Sequence, residues 1–190
     1  MRLILTRHGE TIENKKGISQ GHIPGKLSKE GIKQAKKLAL RLKDEEIDFI
    51  FSSDLARAKD TTKEIIKYHP DVPVKFVKEL RERYLGKLQG KKNKEDVWKD
   101  KKLTKGIETP KHMCSRIKKF LDKVLLKHKK DTVLFVAHGG TSRALMTVIT
   151  GEDPKEMFNL GKLSNTGVGI IEIKGKKHKI RVFNCTKHLD

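Results

Sequence analysis

The chain has little with which to staple itself together. Two of its 190 residues are cysteines, Cys114 and Cys185, and they lack the spacing of a disulfide framework or a zinc site. That excludes a disulfide-rich secreted scaffold and leaves two ordinary thiols of the kind found in a reducing compartment. Aromatic residues make up 5% of the chain and are not interleaved with the basic ones, which argues against a stacking platform for single-stranded nucleic acid. No apolar run approaches the roughly 20 residues of a membrane-spanning helix. The N-terminal run Leu3-Ile4-Leu5 is too short for a signal peptide and leads straight into a polar motif. The expectation is a soluble cytoplasmic protein with no membrane partner.

Acidic residues are also scarce, at 24 Asp and Glu against 44 Lys and Arg, for a formal charge of +20. Such an excess has a functional reading, a polyanionic partner such as nucleic acid. It also has a compositional one, a lysine-biased surface of the kind associated with thermal adaptation. The basic residues are spread over nearly every expected helix, densest from Lys91 to Lys105, which favours the compositional reading and disfavours nucleic acid. Charges separated by more than the Debye length of about 8 Å are screened. Scattered lysines can therefore speed an anion's approach, but only local arginines can grip it.

What is present is periodic. Hydrophobic residues are 35% of the chain and fall into runs with strand or helix spacing. The length suits one domain, residues 1–190. A strand is expected over Arg2 to Arg7. A helix capped by Ser28 follows, burying Ile32, Ala35, Leu38, Ala39 and Leu42. Asp48 to Ser52 reads as a second strand, Asp54 or Ser53 as the cap of a helix to about Tyr68, and Val74 to Val77 as a short third strand. Pro110 to Lys127 carries Met113, Ile117, Phe120, Leu121 and Val124 on one stripe, with its proline in the first turn. Val133 to Ala137, almost wholly apolar, fits a strand buried on both faces. A helix from about Thr141 to Thr150 precedes a hairpin of Val168 to Ile173 and Lys179 to Phe183, joined through Gly175. Strands alternating with helices make this an α/β chain with a mostly parallel sheet. The least structured stretch, about 85–109, is a short cap-like insertion.

Chemistry-bearing residues stand at or just after the expected strand ends: Arg7-His8, Ser52-Ser53-Asp54 leading to Arg57, Glu82, and His138. Parallel strands would bring these to one sheet edge, where open α/β sheets bind ligands. Two guanidiniums match phosphate oxygens and stay charged. A histidine can act as a covalent nucleophile, and a carboxylic acid can protonate a leaving oxygen. Arg7 beside His8 repels a metal ion, and a metal hydrolase would need a cluster of ligands. The combination points to metal-free phosphoryl transfer. Each residue also has a bland reading. His8 or His138 alone could be structural, Glu82 could be a solvated loop residue, and Arg57 could pair with Glu64 or Asp60. His22, His69, His112, His128, His178 and His188 read as surface residues, His22 alone bordering the substrate loop.

The ordered set Leu5-Thr6-Arg7-His8-Gly9-Glu10-Thr11, Asn14, Gln20-Gly21, Ser52-Ser53-Asp54-Leu55-Ala56-Arg57-Ala58, Leu80-Arg81-Glu82-Arg83 with Gly86 and Gly90, Ala137-His138-Gly139-Gly140 and Asn165 resembles the histidine phosphatase superfamily, in its phosphoglycerate mutase-like branch. The resemblance implies a three-layer α/β sandwich. It implies His8 as the nucleophile that becomes phosphohistidine, and Glu82 as proton donor and then activator of water. Arg7, Arg57 and His138 would hold the phosphate oxygens, and Asn14, Gln20, Gly21 and Gly139 would complete the binding site. No metal or other cofactor is implied, and the partner is a small phosphorylated metabolite. A homodimer is compatible with the sequence.

The loop His22 to Ser28 and the segment Gly106-Ile107-Glu108-Thr109 depart from the family pattern where it normally shapes the substrate pocket. The expected activity is phosphomonoester hydrolysis, favoured by the short lysine-rich region after Glu82. A phosphoglycerate mutase-type transfer is the nearest alternative, and a basic nucleic-acid-binding protein retaining the fold is a further one.

Overall fold

Alternation within the apolar strands divides the core between the two faces of a sheet. Leu3, Leu5, Val133, Phe135 and Ala137 belong to one buried cluster, while Ile4, Leu134 and Val136 belong to the other. Strands apolar on both faces need cover on both sides, and amphipathic helices supply it. The computed structural model of the chain describes residues 1–175 and 177–190, residue 97 by its backbone alone. In chain order it contains β1 (Arg2–Arg7), α1 (Ile12–Lys15), α2 (Lys29–Leu42), β2 (Phe49–Ser53), α3 (Ala56–Ile66), β3 (Val74–Val77), α4 (Glu95–Lys99), α5 (Lys101–Thr104), α6 (Pro110–Lys127), β4 (Thr132–Ala137), α7 (Gly139–Thr150), β5 (Val168–Lys174) and β6 (Lys177–Cys185). Residues of α6 and α7 pack on the first face, with Met113, Ile117, Phe120 and Leu145 among them. Residues of α2 and α3 pack on the second, with Leu38, Leu42, Ala58 and Ile65 among them. This is the expected three-layer α/β sandwich.

The strand order is β3-β2-β4-β1-β5-β6. β1, β2, β3 and β4 run parallel, and β5 and β6 close the sheet as an antiparallel pair. The adjacent strands β1 and β4 send their chains to opposite faces, into α2 and α7. Such a switch point opens a crevice at the carboxyl edge, and His8 and His138 stand there.

Several local expectations shift. Ile32 is 43% exposed; the buried first-turn position of α2 belongs to Gly31. The Glu10 backbone lies against Gly31, and any Cβ there would collide with the Glu10 carbonyl oxygen. Neither Ser53 nor Asp54 is the N-cap of α3, a position that falls to Leu55 without a side-chain bond. Asp54 instead accepts from Arg81 through both its oxygens, at 2.7 and 2.6 Å. A bidentate charged pair outcompetes a single cap bond. The helix ends at Ile66, two residues before Tyr68, and α7 begins at Gly139 instead of Thr141. His69 is buried, not on the surface, and its Nε2–H donates to the Leu42 carbonyl at the end of α2, 3.0 Å away.

The stretch 85–109 carries more order than its composition suggests. Besides a 3₁₀ turn at Gly86–Leu88 it holds α4 and α5. Backbone bonds stitch it to the loop after α1: Ser19 N–H to Lys91 O (2.9 Å), Gly90 N–H to Ser19 O (2.8 Å) and Asn93 N–H to Gly17 O (2.8 Å). No helix among the described residues is long and apolar enough to cross a membrane.

The Gly31 contact yields a stability prediction. Overpacking of this kind costs about 1–3 kcal/mol, so Gly31→Ala is expected to lower Tm by several degrees in a thermal melt. An unchanged Tm would mean that the loop after β1 yields without cost.

Candidate active site

Each expected side chain reaches the crevice from its own element. β1 ends at Arg7, and the His8 N–H continues the pairing by donating to Ala137 O (3.1 Å). The next turn packs backbone to backbone against Gly31, which is why Gly9 cannot carry a side chain. Thr61 of α3 fixes the same turn by accepting from Gly9 N–H at 3.0 Å. Arg57, one residue into α3, is 1% exposed and ignores Asp60 and Glu64, which pair with Lys63 and Lys67. It crosses to the β1–α2 loop instead, donating to Gly21 O (2.8 Å) and Ile23 O (3.0 Å).

His8 and His138 are buried, their ring centroids 5.1 Å apart. The Gly9 carbonyl lies 2.7 Å from His8 Nδ1 and can only accept, so Nδ1 carries the proton and Nε2 presents the lone pair. Arg57 Nε–H reaches that lone pair at 3.3 Å. Burial first, then the charges of Arg57 and Arg7, hold the His8 pKa well below the usual imidazole range, against the opposing bond to Gly9. The same order of causes, burial, Arg57 and then His8 itself, holds His138 low. Both rings are therefore neutral at neutral pH. Burial also pulls Arg57 down to about 10, with Glu82 opposing, which leaves it charged.

Ser53 sits 2.8 Å from His138 Nε2, while His138 Nδ1 has no hydrogen-bond partner among the described residues. Arg7 donates to Leu163 O at 3.2 Å, and its buried Nε is likewise unpartnered. Arg7, Arg57 and His138 thus gather guanidinium and imidazole nitrogens of the kind that match the oxygens of a tetrahedral oxyanion.

Glu82 arrives from the loop after β3 and is braced at both carboxylate oxygens, by Arg83 N–H (2.8 Å) and Gly140 N–H (3.1 Å). The Gly140 amide, in the first turn of α7, thereby holds the carboxylate. Asn165 donates to His8 O (2.9 Å) and approaches Asn14 Oδ1 at 3.4 Å. Asn14 is otherwise occupied in capping α1 with Thr11. Gln20 does not face the rings directly; it donates to Thr11 Oγ1 at 2.8 Å and so shapes the loop that grips Arg57. Gly139 lies beside the Arg7 guanidinium, an added Cβ there coming 3.6 Å from Nε.

Sequence reasoning assigned no role in the site to four supporting residues. Ser53 and Thr61 orient His138 and Gly9. His22, flagged only as bordering the loop, donates from Nε2 to Glu82 O at 2.7 Å. Glu108, in the segment that departs from the family pattern, accepts from Arg116 (2.7 and 3.0 Å) and Tyr84 N–H (3.2 Å). It thereby fixes the loop carrying Glu82. A polar residue at each strand end was the available signal, but nothing in the spacing says which polar atom it meets. Among the described residues, no group of three or more His, Cys, Asp or Glu has metal-holding geometry.

The family model described as histidine phosphatase superfamily (branch 1) matches residues 3–186. The chain is 35% identical over 201 residues to a metal-independent phosphoserine phosphatase of Arabidopsis thaliana, covering 98% of this chain and 82% of that protein. It is 30% identical over 203 residues to a broad-specificity phosphatase of Saccharomyces cerevisiae, covering 100% of this chain and 87% of that one. Among solved structures, Bacillus stearothermophilus YhfR superposes with a TM-score of 0.90 at 26% identity, covering 100% of this chain and 99% of that one. With a family model matched over nearly the whole chain and phosphatases among its relatives, the chain belongs to the histidine phosphatase superfamily, branch 1, and is a phosphoric monoester hydrolase.

Proposed function

We propose that this enzyme releases phosphate from small phosphorylated metabolites through a phosphohistidine on His8, without a metal ion. The observation that carries the reading is the His8 tautomer. Its Nδ1 proton is tied to Gly9 O and its Nε2 lone pair faces Arg57, so the nucleophilic nitrogen already points into the anion-binding cluster.

His8 Nε2 attacks phosphorus, and the ester P–O bond breaks as the P–N bond forms. The three equatorial oxygens lie among Arg7, Arg57 and His138, whose fixed positive charge and N–H groups match the charge spread of a loose transition state. Glu82 gives its proton to the departing alcohol oxygen. As carboxylate it then takes a proton from the water that attacks phosphorus and breaks the P–N bond. Asn14 and Asn165 complete the wall beside His8, Gln20 and Gly21 hold the loop that positions Arg57, and the short segment 85–109 flanks the site as a cap. Guanidiniums stand where a metal enzyme would need anionic ligands, which supports metal independence. A cytoplasmic setting belongs to the same proposal, in keeping with the two free thiols Cys114 and Cys185.

The test is phosphate release from a phosphomonoester panel, phosphoserine included because the Arabidopsis relative is named for it. Full activity in EDTA is expected. Loss of activity in EDTA that Mg²⁺ restores would overturn metal independence. Isomerisation of 3-phosphoglycerate outrunning phosphate release, with a trace of the bisphosphate present, would move the enzyme to the mutase class.

A further inference from the structure

The nine arginines of the chain divide by what they touch. Arg2, Arg41, Arg81, Arg116 and Arg181 each pair with a carboxylate. Arg7, Arg57, Arg83 and Arg143 have no carboxylate partner among the described residues, and all four lie at the catalytic end of the sheet. Arg7 and Arg57 are taken up by the phosphate site. Arg83 and Arg143 are not.

These two guanidiniums share one aromatic ring. Arg83 lies 4.9 Å and Arg143 6.0 Å from the centroid of Phe158, itself 42% exposed. Each spends only its Nε–H on the protein: Arg83 on Glu108 O, at 2.6 Å, and Arg143 on Leu160 O, at 3.1 Å. The terminal nitrogens of both remain uncommitted among the described residues. Arg83 follows Glu82 directly, and Arg143 lies one helical turn from Gly140, the residue that braces Glu82. Lys162 completes the group. It belongs to the strap between Leu160, held by Arg143, and Leu163, held by Arg7. Burial and then the charges of Arg7 and Arg143 pull its pKa down, with Glu82 opposing, which places its ammonium in the same field. Among the described residues these three cations form no ion pair, although the Glu82 and Glu108 carboxylates lie within the field of Arg83 and Glu82 within that of Lys162; they stand on the Glu82 side of the site, where the leaving alcohol must lie if Glu82 protonates it.

We propose that Arg83, Arg143 and Lys162 form a second anion subsite that selects phosphomonoesters whose alcohol carries a carboxylate. A guanidinium whose Nε is anchored and whose face lies on a ring presents its two terminal nitrogens as a fork, which matches a planar carboxylate. The proposal rests on the phosphatase reading above and deepens it.

The experiment compares 3-phosphoglycerate with glycerol 3-phosphate, which differ by carboxylate against hydroxymethyl, as kcat/KM for phosphate release. The wild type is expected to favour the carboxylate ester by roughly tenfold to a hundredfold, the worth of a hydrogen bond to a charged group. Lys162→Glu, at an exposed position, should collapse that ratio mainly through KM, and should raise phosphoethanolamine relative to glycerol 3-phosphate. Arg143→Gln should lower the ratio as well. A wild-type ratio near one, or parallel losses on both esters in the variants, would overturn the subsite while leaving the phosphatase reading intact. Release from other esters of the panel but not from 3-phosphoglycerate would likewise overturn the subsite, whereas release from none of the panel esters would fail the phosphatase reading, and the subsite with it.

Discussion

His8→Ala is expected to lose turnover by roughly 10⁴–10⁶-fold, the scale on which deletion of a covalent nucleophile acts, and to form no acid-labile phosphoenzyme. The loss is large because the remaining groups cannot substitute for it. Arg7 and Arg57 bind an anion but carry no lone pair, and His138 places Nε2 against Ser53, 2.8 Å away. Phosphate binding should survive, since the guanidiniums remain, so a competitive anion such as vanadate should still protect the variant thermally. His8 is 2% exposed and its removal leaves a small cavity. His8→Asn, closer in volume, separates the chemical loss from a packing loss. Both variants should show the same missing phosphoenzyme when quenched after mixing with ³²P-labelled substrate. An acid-labile phosphoprotein in either would end the covalent account.

Glu82→Gln is expected to discriminate between leaving groups. An alkyl alcohol leaves only with a proton, whereas p-nitrophenolate leaves nearly unaided. General acid help is worth roughly 10²–10⁴-fold. Turnover of phosphoserine or glycerol 3-phosphate should fall by that factor, while p-nitrophenyl phosphate loses far less in its first step. Glutamine is a demanding control because it is nearly isosteric, and its single carbonyl oxygen can still accept from either Gly140 N–H or Arg83 N–H, the two donors that brace the carboxylate. Burst kinetics on p-nitrophenyl phosphate would then expose the second role of Glu82. A burst followed by a slow steady state marks the missing base in dephosphorylation. Equal losses on both esters would assign Glu82 to binding and leave the acid unidentified.

The parts of the site that were legible beforehand are those set by periodicity and chain position. A short apolar strand followed by a histidine and glycine, occurring at Arg7-His8 and again at His138, can be read without coordinates because parallel strands end at a common edge. Elements with strong patterning came out close to expectation, α6 with its expected extent and β4 with Thr132 added at its start. The misplacements share a cause, competition between partners that are distant in sequence. Asp54 was a good helix cap until Arg81 offered it two charged bonds. Ile32 sat at helical spacing, but the Glu10 backbone claims the neighbouring position of Gly31. His69 looked like a surface residue because its acceptor, the Leu42 carbonyl, lies at the end of another helix.

The division follows from the reach of the forces involved. The sequence by itself determined the α/β class and brought forward Arg7, His8, Arg57, Glu82 and His138 as candidates at one sheet edge, because strand and helix periods and local turn chemistry are short-range properties. Only the tertiary structure decided which His8 nitrogen faces the anion, that the Gly140 amide braces Glu82, and that Arg83 and Arg143 share Phe158 with their forks uncommitted. Those outcomes depend on hydrogen bonds and burial between residues up to 75 positions apart, as with Arg83 and Phe158. Such contacts exist only once the chain has packed, when desolvation makes each partner choice energetically consequential.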